Sequence, residues 1–153
     1  MASGQGAIIR WQRDGDFATG RYSRSHEWVF DGGLTVPASS SPAVVKPPLA
    51  REDAIDPEEA LVAAIASCHM LWFLDLARRR GHVVETYEDA PEGRMGRLEQ
   101  GRYWVERVTL RPRITFAGEP PSQGEIDALH EEAHQLCFIA NSVRSEVVIE
   151  PVS

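Results

Sequence analysis

The sequence is poor in the features that mark several large classes of protein. Its 153 residues contain 16 Lys and Arg against 23 Asp and Glu, which gives a formal net charge of −7. Proteins that bind nucleic acid through its phosphates need a basic face, so this balance argues against a nucleic-acid partner. The chain also has no run of 18 or more apolar residues, which argues against a membrane-spanning helix.

Cysteine is scarce, and no secretory signal is evident. The N-terminal stretch MASGQGAIIRWQRDGD does not have the charged and then apolar layout of such a signal. Only Cys68 and Cys137 are present. In a reducing compartment, two cysteines are more often catalytic, redox-active or simply buried than a permanent cross-link. We therefore expect a cytoplasmic protein.

Length and composition suit one domain with a sizeable core. Hydrophobic residues make up 42% of the chain and charged residues 25%, as is ordinary for a globular protein. The segment 37–50, PASSSPAVVKPPLA, is rich in proline and serine and predicts a surface loop. The sequence thus predicts a single domain over residues 1–153, with this loop between the N-terminal strands and a central helix.

The order of the predicted segments indicates an α+β fold with mainly antiparallel sheets. GAIIRWQ and FATGRYSRSHEWVF are rich in aromatic and β-branched residues and predict strands, with turns at Asp14-Gly15 and Asp31-Gly32-Gly33. HVVETYED, GRYWVERVTLRPRITF and SEVVIEPV predict later strands. The Gly-rich segment 93–101 is predicted to be a hairpin connection.

A long central helix is predicted by the signals at its two ends. Asp56 suits the N-cap, Pro57 the first helical position, and Glu59 the third position of a capping box. Three arginines and then Gly81 predict the C-terminal end. Apolar residues lie on nearly every side of this helix, so we expect most of it to be buried.

A second helix begins after Ser122, where Glu125 completes another capping box, and is expected to end near Asn141. It contains the stretch HEEAHQLC, residues 130–137.

This stretch matches H-E-x-x-H, the helical zinc motif of metalloproteases. His130 and His134 share one helical face, and Cys137 joins that face three residues later. Only 19 residues follow His134, and the acidic candidates there, Glu146 and Glu150, lie in a predicted strand. The protease context is therefore missing, whereas metal binding through His130, His134 and Cys137 stays an alternative.

Two blocks of the sequence resemble the OsmC/Ohr family of organic hydroperoxide reductases. In that family a turn similar to N-P-E-x-L opens a long helix, and the reactive cysteine lies ten residues after the Glu. Asp56-Pro57-Glu58 and Cys68 have this spacing in DPEEALVAAIASCHM. The second family cysteine follows an Ala-His pair, as Cys137 does in AHQLCFIANS. The resemblance covers nearly the whole chain, although Phe138 replaces the usual Pro, His69 follows the first cysteine, and the Pro-rich loop is long.

The resemblance implies an OsmC-like fold, an intertwined homodimer and a peroxidase that needs no cofactor. Cys68 would attack an organic hydroperoxide, and Cys137 would close a disulfide that a dithiol donor, of the lipoyl type in several family members, reopens. An N-terminal Arg would hold the reactive thiolate. Arg24, seven residues before the Asp31-Gly32 turn, is preferred to Arg21, and Glu58 would orient its guanidinium through a bidentate pair.

The residues near Cys68 and the spacing of Glu58 add two expectations. Leu71, Trp72 and Phe138 are apolar and would suit an apolar peroxide. Glu58 and Cys68 are ten residues apart, about 15 Å along a straight helix, so one helix cannot bring both to one arginine. A second antiparallel copy that crosses at the small residues Ala63 and Ala64 would do so, which predicts a homodimer with shared sites.

A further alternative is that Cys68 is an inert, structural cysteine. Cys68 lies in an apolar helix, where cysteine is often only a small hydrophobic residue. Without a positive charge or a hydrogen-bond donor from outside its own helix, such a thiol is inert. The chain would then be a non-catalytic dimer that binds an apolar ligand.

Overall fold

The structure is a computed structural model that describes residues 4–153 and divides the chain into two compact units. The first unit ends at Ala60, and the second runs from Leu61 to Ser153. Residues 1–3, where the expected single domain begins, lie outside the described residues. A single domain over the whole chain stays a prediction.

The described part of the first unit is built from short strands. They are β1 (Ala7–Arg10), β2 (Gly15–Asp16), β3 (Arg21–Tyr22), β4 (His26–Phe30) and β5 (Thr35–Ala38). One antiparallel sheet has the order β1–β4–β5, and β2 and β3 form a separate antiparallel pair. The predicted strand region 17–30 therefore begins only at residue 21 and is interrupted once, at residues 23–25.

The turns of this unit agree only in part with the sequence prediction. Residues 31–33 join β4 to β5, and Gly33 has a φ of 89°, as predicted for this turn. At Asp14-Gly15 the expected positive φ is found, with 104° at Gly15, but the turn itself is misplaced, because Gly15 lies in β2 and the chain reverses at residues 17–20. Gly20, with a φ of 80°, supplies the left-handed conformation there.

The Pro-rich loop starts two residues later than predicted. Pro37 and Ala38 belong to β5, so the loop begins at Ser39. Because β5 lies at the edge of its sheet, a proline that cannot donate a hydrogen bond is tolerated there.

The second unit has two sheets. Its strands are β6 (Val84–Asp89), β7 (Glu92–Arg97), β8 (Tyr103–Leu110), β9 (Pro112–Phe116) and β10 (Glu146–Ile149). One sheet has the order β10–β8–β7 and the other pairs β6 with β9. β10 runs parallel to β8, whereas the other pairings are antiparallel.

The prediction for the Gly-rich segment 93–101 is wrong for most of its length. Residues 92–97 form β7, and only residues 98–102 connect it to β8. A Cβ atom added at Gly93 would lie 2.7 Å from a methyl carbon of Val62. This glycine therefore allows close packing within a strand and does not mark a turn.

The central helix α1 spans Pro57–Arg79 and begins as predicted. The Asp56 carboxylate accepts a hydrogen bond of 2.8 Å from the Glu59 backbone N–H, and the Glu59 carboxylate accepts one of 3.3 Å from the Asp56 N–H. At the other end Gly81 has a φ of 80°, and the His82 N–H donates to the Ala77 carbonyl at 3.0 Å. Both ends thus satisfy backbone groups that the helix leaves unpaired.

Burial of α1 is less complete than predicted. Its inner face joins two hydrophobic clusters, one around Phe73 and Leu76 and one around Ile65 and Ala66. A strip of small and apolar residues on another face is exposed to solvent; it consists of Ala63, Ala64, Ser67 and Leu71. The prediction that most of the helix is buried is therefore wrong for a single chain.

By length and composition alone, α1 is apolar enough to cross a membrane. Its most apolar 18-residue window has a mean hydropathy of 1.8, and 33% of that window is buried. The window is not an uninterrupted apolar run, because it includes Ser67 and His69. Core helices of globular proteins meet the same criterion, so this observation is weak support for a membrane span.

The second helix, α2, spans Gln123–Leu136. Its predicted capping box is confirmed, with reciprocal hydrogen bonds of 3.2 Å between Ser122 and Glu125. The predicted end near Asn141 is wrong: Cys137 already has extended backbone angles, and a short 3₁₀ turn follows at Ala140–Ser142. The Asn141 side chain instead donates to the Gln135 carbonyl at 3.0 Å and satisfies one of the last acceptors of the helix.

Candidate functional site

The second unit brings the two cysteines together. Cys68 lies in the middle of α1 and is half-buried, whereas Cys137 directly follows α2 and is 1% exposed. Both are free thiols, and Cys68 is close enough to Cys137 to contribute to the raised pKa of the Cys137 thiol. Two residues that are 69 positions apart in the sequence thus form one thiol pair.

The surroundings of Cys137 keep its thiol protonated. Burial raises the pKa of Cys137 to about 11, while an N–H of Ala140, 3.4 Å from Sγ, opposes the increase. The sulfur atom of Cys137 lies 4.0 Å from the carbonyl oxygen of Ile65. At neutral pH this cysteine is therefore a poor nucleophile, since the thiolate is the reactive form.

An apolar cavity of about 280 Å³ lies beside Cys68. Leu71, Trp72 and Phe138 line it, as the sequence predicts, and the rings of Trp72 and Phe138 meet edge to face at 5.6 Å. Asp75 also lines the cavity, which the sequence analysis missed. The sequence signal that could have identified Asp75 is its position seven residues after Cys68, which places both residues on the same helical face.

The Asp75 carboxylate is compensated by arginines of the next helical turn. Arg78 and Arg79 contact it at 3.0 Å and 2.6 Å. The polar edge of the cavity therefore does not carry an isolated negative charge.

A larger cavity, of about 460 Å³, lies in the first unit. Arg24 and Glu58, both predicted site residues, line it together with aromatic and apolar side chains. The apolar and aromatic part of the lining consists of Ile9, Trp11, Phe17, Tyr22, Val44 and Pro57. The sequence analysis did not identify the aromatic members, although the strand region that contains them is rich in aromatic residues.

Arg24 is held by its own turn. It lies between β3 and β4 and not within a strand, contrary to the family expectation. Its Nη1 donates hydrogen bonds to the carbonyls of Gly20, at 2.9 Å, and Tyr22, at 2.5 Å, and its Cζ lies 3.6 Å above the centre of the Tyr22 ring. Arg21, the alternative candidate, lies on β3 with its side chain exposed and does not line the cavity.

Glu58 shares the cavity with Arg24 but does not pair with it. Among the described residues there is no ion pair between the two, so the bidentate contact expected from the resemblance is absent in the single chain. Burial raises the pKa of Glu58, and the neighbouring carboxylates of Asp56 and Glu59 add to this increase. A nearby cation would stabilise this carboxylate.

Two histidines of the second unit, His69 and His130, form a buried pair rather than a metal site. His69 Nε2 lies 3.0 Å from His130 Nδ1, and burial lowers the pKa of His69 to about 3 and that of His130 to about 4. Within residues 4–153, no group of three or more His, Cys, Asp or Glu side chains is arranged to hold a metal ion. The geometry therefore does not support the alternative that His130, His134 and Cys137 bind a metal.

Comparison with known proteins identifies similar chains. A family model described as OsmC-like protein matches residues 50–152, and a search of curated proteins found no match. A solved structure of an OsmC-like protein of unknown function from Vibrio cholerae is 45% identical, with a TM-score of 0.95 over 99% of this chain and 100% of that one.

Two more distant solved structures are organic hydroperoxide resistance proteins. The protein from Elizabethkingia anophelis is 18% identical, with a TM-score of 0.69 over 99% of this chain and 96% of that one. The protein from Bacillus subtilis is 17% identical, with a TM-score of 0.66 over 96% and 98% of the two chains. At such low identity the likeness concerns the fold alone.

Proposed function

The chain belongs to the OsmC-like protein family, and on this basis we propose that it is a thiol-dependent peroxidase that reduces organic hydroperoxides to alcohols. The observation that carries the proposal is the thiol pair: Cys68 is half-buried beside an apolar cavity, and the protonated thiol of Cys137 interacts with it. Relatives of the same fold that are named organic hydroperoxide resistance proteins support this choice of substrate.

In the first step the Cys68 thiolate attacks the outer oxygen of the hydroperoxide. The O–O bond breaks, a sulfenic acid forms on Cys68, and the alkoxide leaves as an alcohol after taking up a proton. The apolar walls beside Cys68 favour a peroxide with an apolar body over hydrogen peroxide.

In the second step the Cys137 thiol attacks the sulfur of the Cys68 sulfenic acid. A disulfide forms, and the thiol hydrogen leaves with the hydroxyl group as water. The raised pKa of Cys137 fits this order of events, because a protonated thiol does not compete for the peroxide. The disulfide also protects Cys68 from further oxidation.

An external dithiol, of which a lipoyl group is one kind, completes the cycle. One of its thiolates attacks the disulfide, its second thiol releases the protein, and both protein thiols are restored while the donor becomes a disulfide. The donor thereby supplies the two electrons that reduce the peroxide.

Arg24 stabilises the reactive thiolate, and Glu58 orients the Arg24 guanidinium. The two residues line one cavity, and the raised pKa of Glu58 indicates a carboxylate that a cation would stabilise. As the spacing of Glu58 and Cys68 predicts, each active site is shared between two chains of a homodimer. We place this dimer in the cytoplasm, with each chain acting as one domain over residues 1–153.

Stopped-flow measurements with cumene hydroperoxide test the proposal. We expect Cys68→Ser to abolish peroxide consumption, because no nucleophile remains. Cys137→Ser is expected to retain one turnover per chain and to accumulate sulfenic or more oxidised Cys68, visible by mass spectrometry. The control is Ser145→Cys, which adds a thiol outside both cavities. We expect this variant to consume peroxide at the rate of the parent protein. Turnover that survives Cys68→Ser would exclude this function.

A second candidate function is favoured by the 460 Å³ cavity with its aromatic walls. The chain would then bind an apolar ligand without chemistry at Cys68. Saturable binding of an apolar fluorescent probe, together with no peroxide consumption by the reduced protein, would select this alternative over the peroxidase.

A further inference from the structure

We propose that Tyr22 is a positioning residue that holds the Arg24 guanidinium through its aromatic ring. The inference rests on the proposed function, in which Arg24 stabilises the Cys68 thiolate. It gives Arg24 an aromatic partner inside its own turn, in addition to the Glu58 carboxylate that lines the same cavity.

The contacts of Arg24 leave one edge of the guanidinium free. Both backbone carbonyls, those of Gly20 and Tyr22, accept from the same nitrogen, Nη1. Neither Nε nor Nη2 donates a hydrogen bond to another of the described residues. The Nε–Nη2 edge, which carries the other three N–H groups, is thus available for an anion.

The Tyr22 ring attracts the guanidinium without neutralising its charge. Cζ lies 3.6 Å from the ring centre, within the distance at which the negative face of an aromatic ring attracts a cation. An aromatic partner leaves the full positive charge for the thiolate.

The Tyr22 ring is itself held in place by two further rings. Its centre lies 4.8 Å from that of Phe17 and 5.7 Å from that of Trp11, and the Trp11 indole N–H donates to the Ser23 carbonyl at 2.9 Å. The ring that carries the guanidinium is therefore part of a packed aromatic cluster. A side chain held this way loses little further freedom when an anion binds.

The test measures Cys68 reactivity in a Cys137→Ser background, where Cys68 is the sole thiol. The readouts are the pH profile of Cys68 alkylation by iodoacetamide and the rate of its single oxidation by cumene hydroperoxide. The variants are Arg24→Met, Tyr22→Phe, which keeps the ring, and Tyr22→Leu, which removes it. Tyr103→Leu serves as a control, because Tyr103 is 66% exposed and lines neither cavity.

We expect Arg24→Met to move the alkylation midpoint to higher pH and to slow oxidation at pH 7. Tyr22→Leu is expected to move the alkylation midpoint to higher pH as well. It should slow oxidation roughly threefold to tenfold, as the loss of a partly desolvated cation–π contact predicts. Tyr22→Phe and Tyr103→Leu should behave like the parent. A purely structural role of Tyr22 would lower stability without moving the pH profile.

A second variant covers the case in which Tyr22→Leu does not fold. Replacement of Tyr22 by tetrafluorinated phenylalanine keeps the shape of the ring but weakens its negative face, so it should reproduce the shift. If Arg24→Met shifts the profile and neither ring variant does, the role of Tyr22 is wrong. If Arg24→Met itself has no effect, the proposed role of Arg24 in the function fails instead.

Discussion

At the scale of single residues, the hydrogen bond of 3.0 Å between His69 Nε2 and His130 Nδ1 needs one nitrogen to donate and the other to accept. Two protonated rings would bring two N–H groups together, so at least one imidazole is neutral, and burial, which lowers the pKa of both rings, favours the neutral form of each. The rings are also stacked, with centres 5.3 Å apart and an angle of 7° between their planes. The first histidine of the H-E-x-x-H match, His130, is therefore one half of a buried pair that links α1 to α2.

This pair predicts a loss of stability in acid. Burial lowers the pKa of His69 to about 3 and that of His130 to about 4, whereas the unfolded chain takes up protons below about pH 6.5. The contribution is thus complete above about pH 6.5 and is lost as the pH falls toward 4 and 3. We expect the free energy of unfolding to fall by about 2 to 5 kcal/mol between pH 7 and pH 4.5.

Urea unfolding at the two pH values measures this effect. The double variant His69→Leu/His130→Leu removes both titrating groups and should lose much less stability over the same range. An unchanged pH dependence in the double variant would show that other groups are responsible.

At the scale of elements, the starts of the two helices depend on local capping and their packing on distant residues. Asp56 with Glu59 and Ser122 with Glu125 form the capping boxes that the sequence predicts. These contacts join residues three positions apart, so they are readable from the chain alone. The helices then pack through Phe73, Leu76, Ala77, Leu129 and Ala133, which form one cluster.

Removal of one helix cap tests how much a capping box contributes to the free energy of unfolding. Ser122→Ala deletes the acceptor of the Glu125 N–H and is expected to lower the free energy of unfolding by about 1 kcal/mol. Ser122→Thr keeps a hydroxyl and should retain most of the stability. Denaturant midpoints of the three proteins give the comparison, and an Ala variant as stable as the parent would contradict it.

At the scale of the whole molecule, the OsmC-like α+β fold expected from the sequence is confirmed by the family match and by the solved structure from Vibrio cholerae. The predicted homodimer would explain why the strip of small and apolar residues on α1 is exposed in the single chain. Ala63, Ala64, Ser67 and Leu71 leave an apolar surface with little side-chain bulk, which suits close contact with a second copy of the helix. The homodimer stays a prediction.

A charge placed in this strip tests the dimer. We expect the parent protein to sediment at twice the mass of the 17.0 kDa chain and Ala64→Arg to sediment as a monomer, because a buried arginine without a partner opposes association. Peroxide reduction should fall at least tenfold in the variant while its circular dichroism stays unchanged, since each site needs both chains. Arg97→Ala, on the exposed strand β7, is a control for a change of charge. A fully active monomer at low concentration would overturn the shared site.

Part of the candidate site was predictable because its signals are spacings along the chain. The two cysteine blocks placed Cys68 on the central helix and Cys137 late on the second helix. The structure has Cys137 directly after α2 and brings the two thiols near each other. Their roles, and those of Arg24 and Glu58, stay predictions. The stacking of Arg24 on Tyr22 was missed because it depends on how residues 17–20 turn, and the predicted turn lay elsewhere.

The sequence by itself determined the helix starts, the class of fold and the residues available for thiol chemistry, since each depends on residues close together or on a fixed spacing. Tertiary structure alone decided where α2 ends, why Gly93 lies in a strand, and that the pKa of Cys137 is raised. These features depend on burial and on contacts such as those of Val62 with Gly93 and of Ile65 with Cys137, between residues far apart in the chain. Local patterns carry no information about such contacts, because the energy of burial depends on which distant side chains the fold brings near.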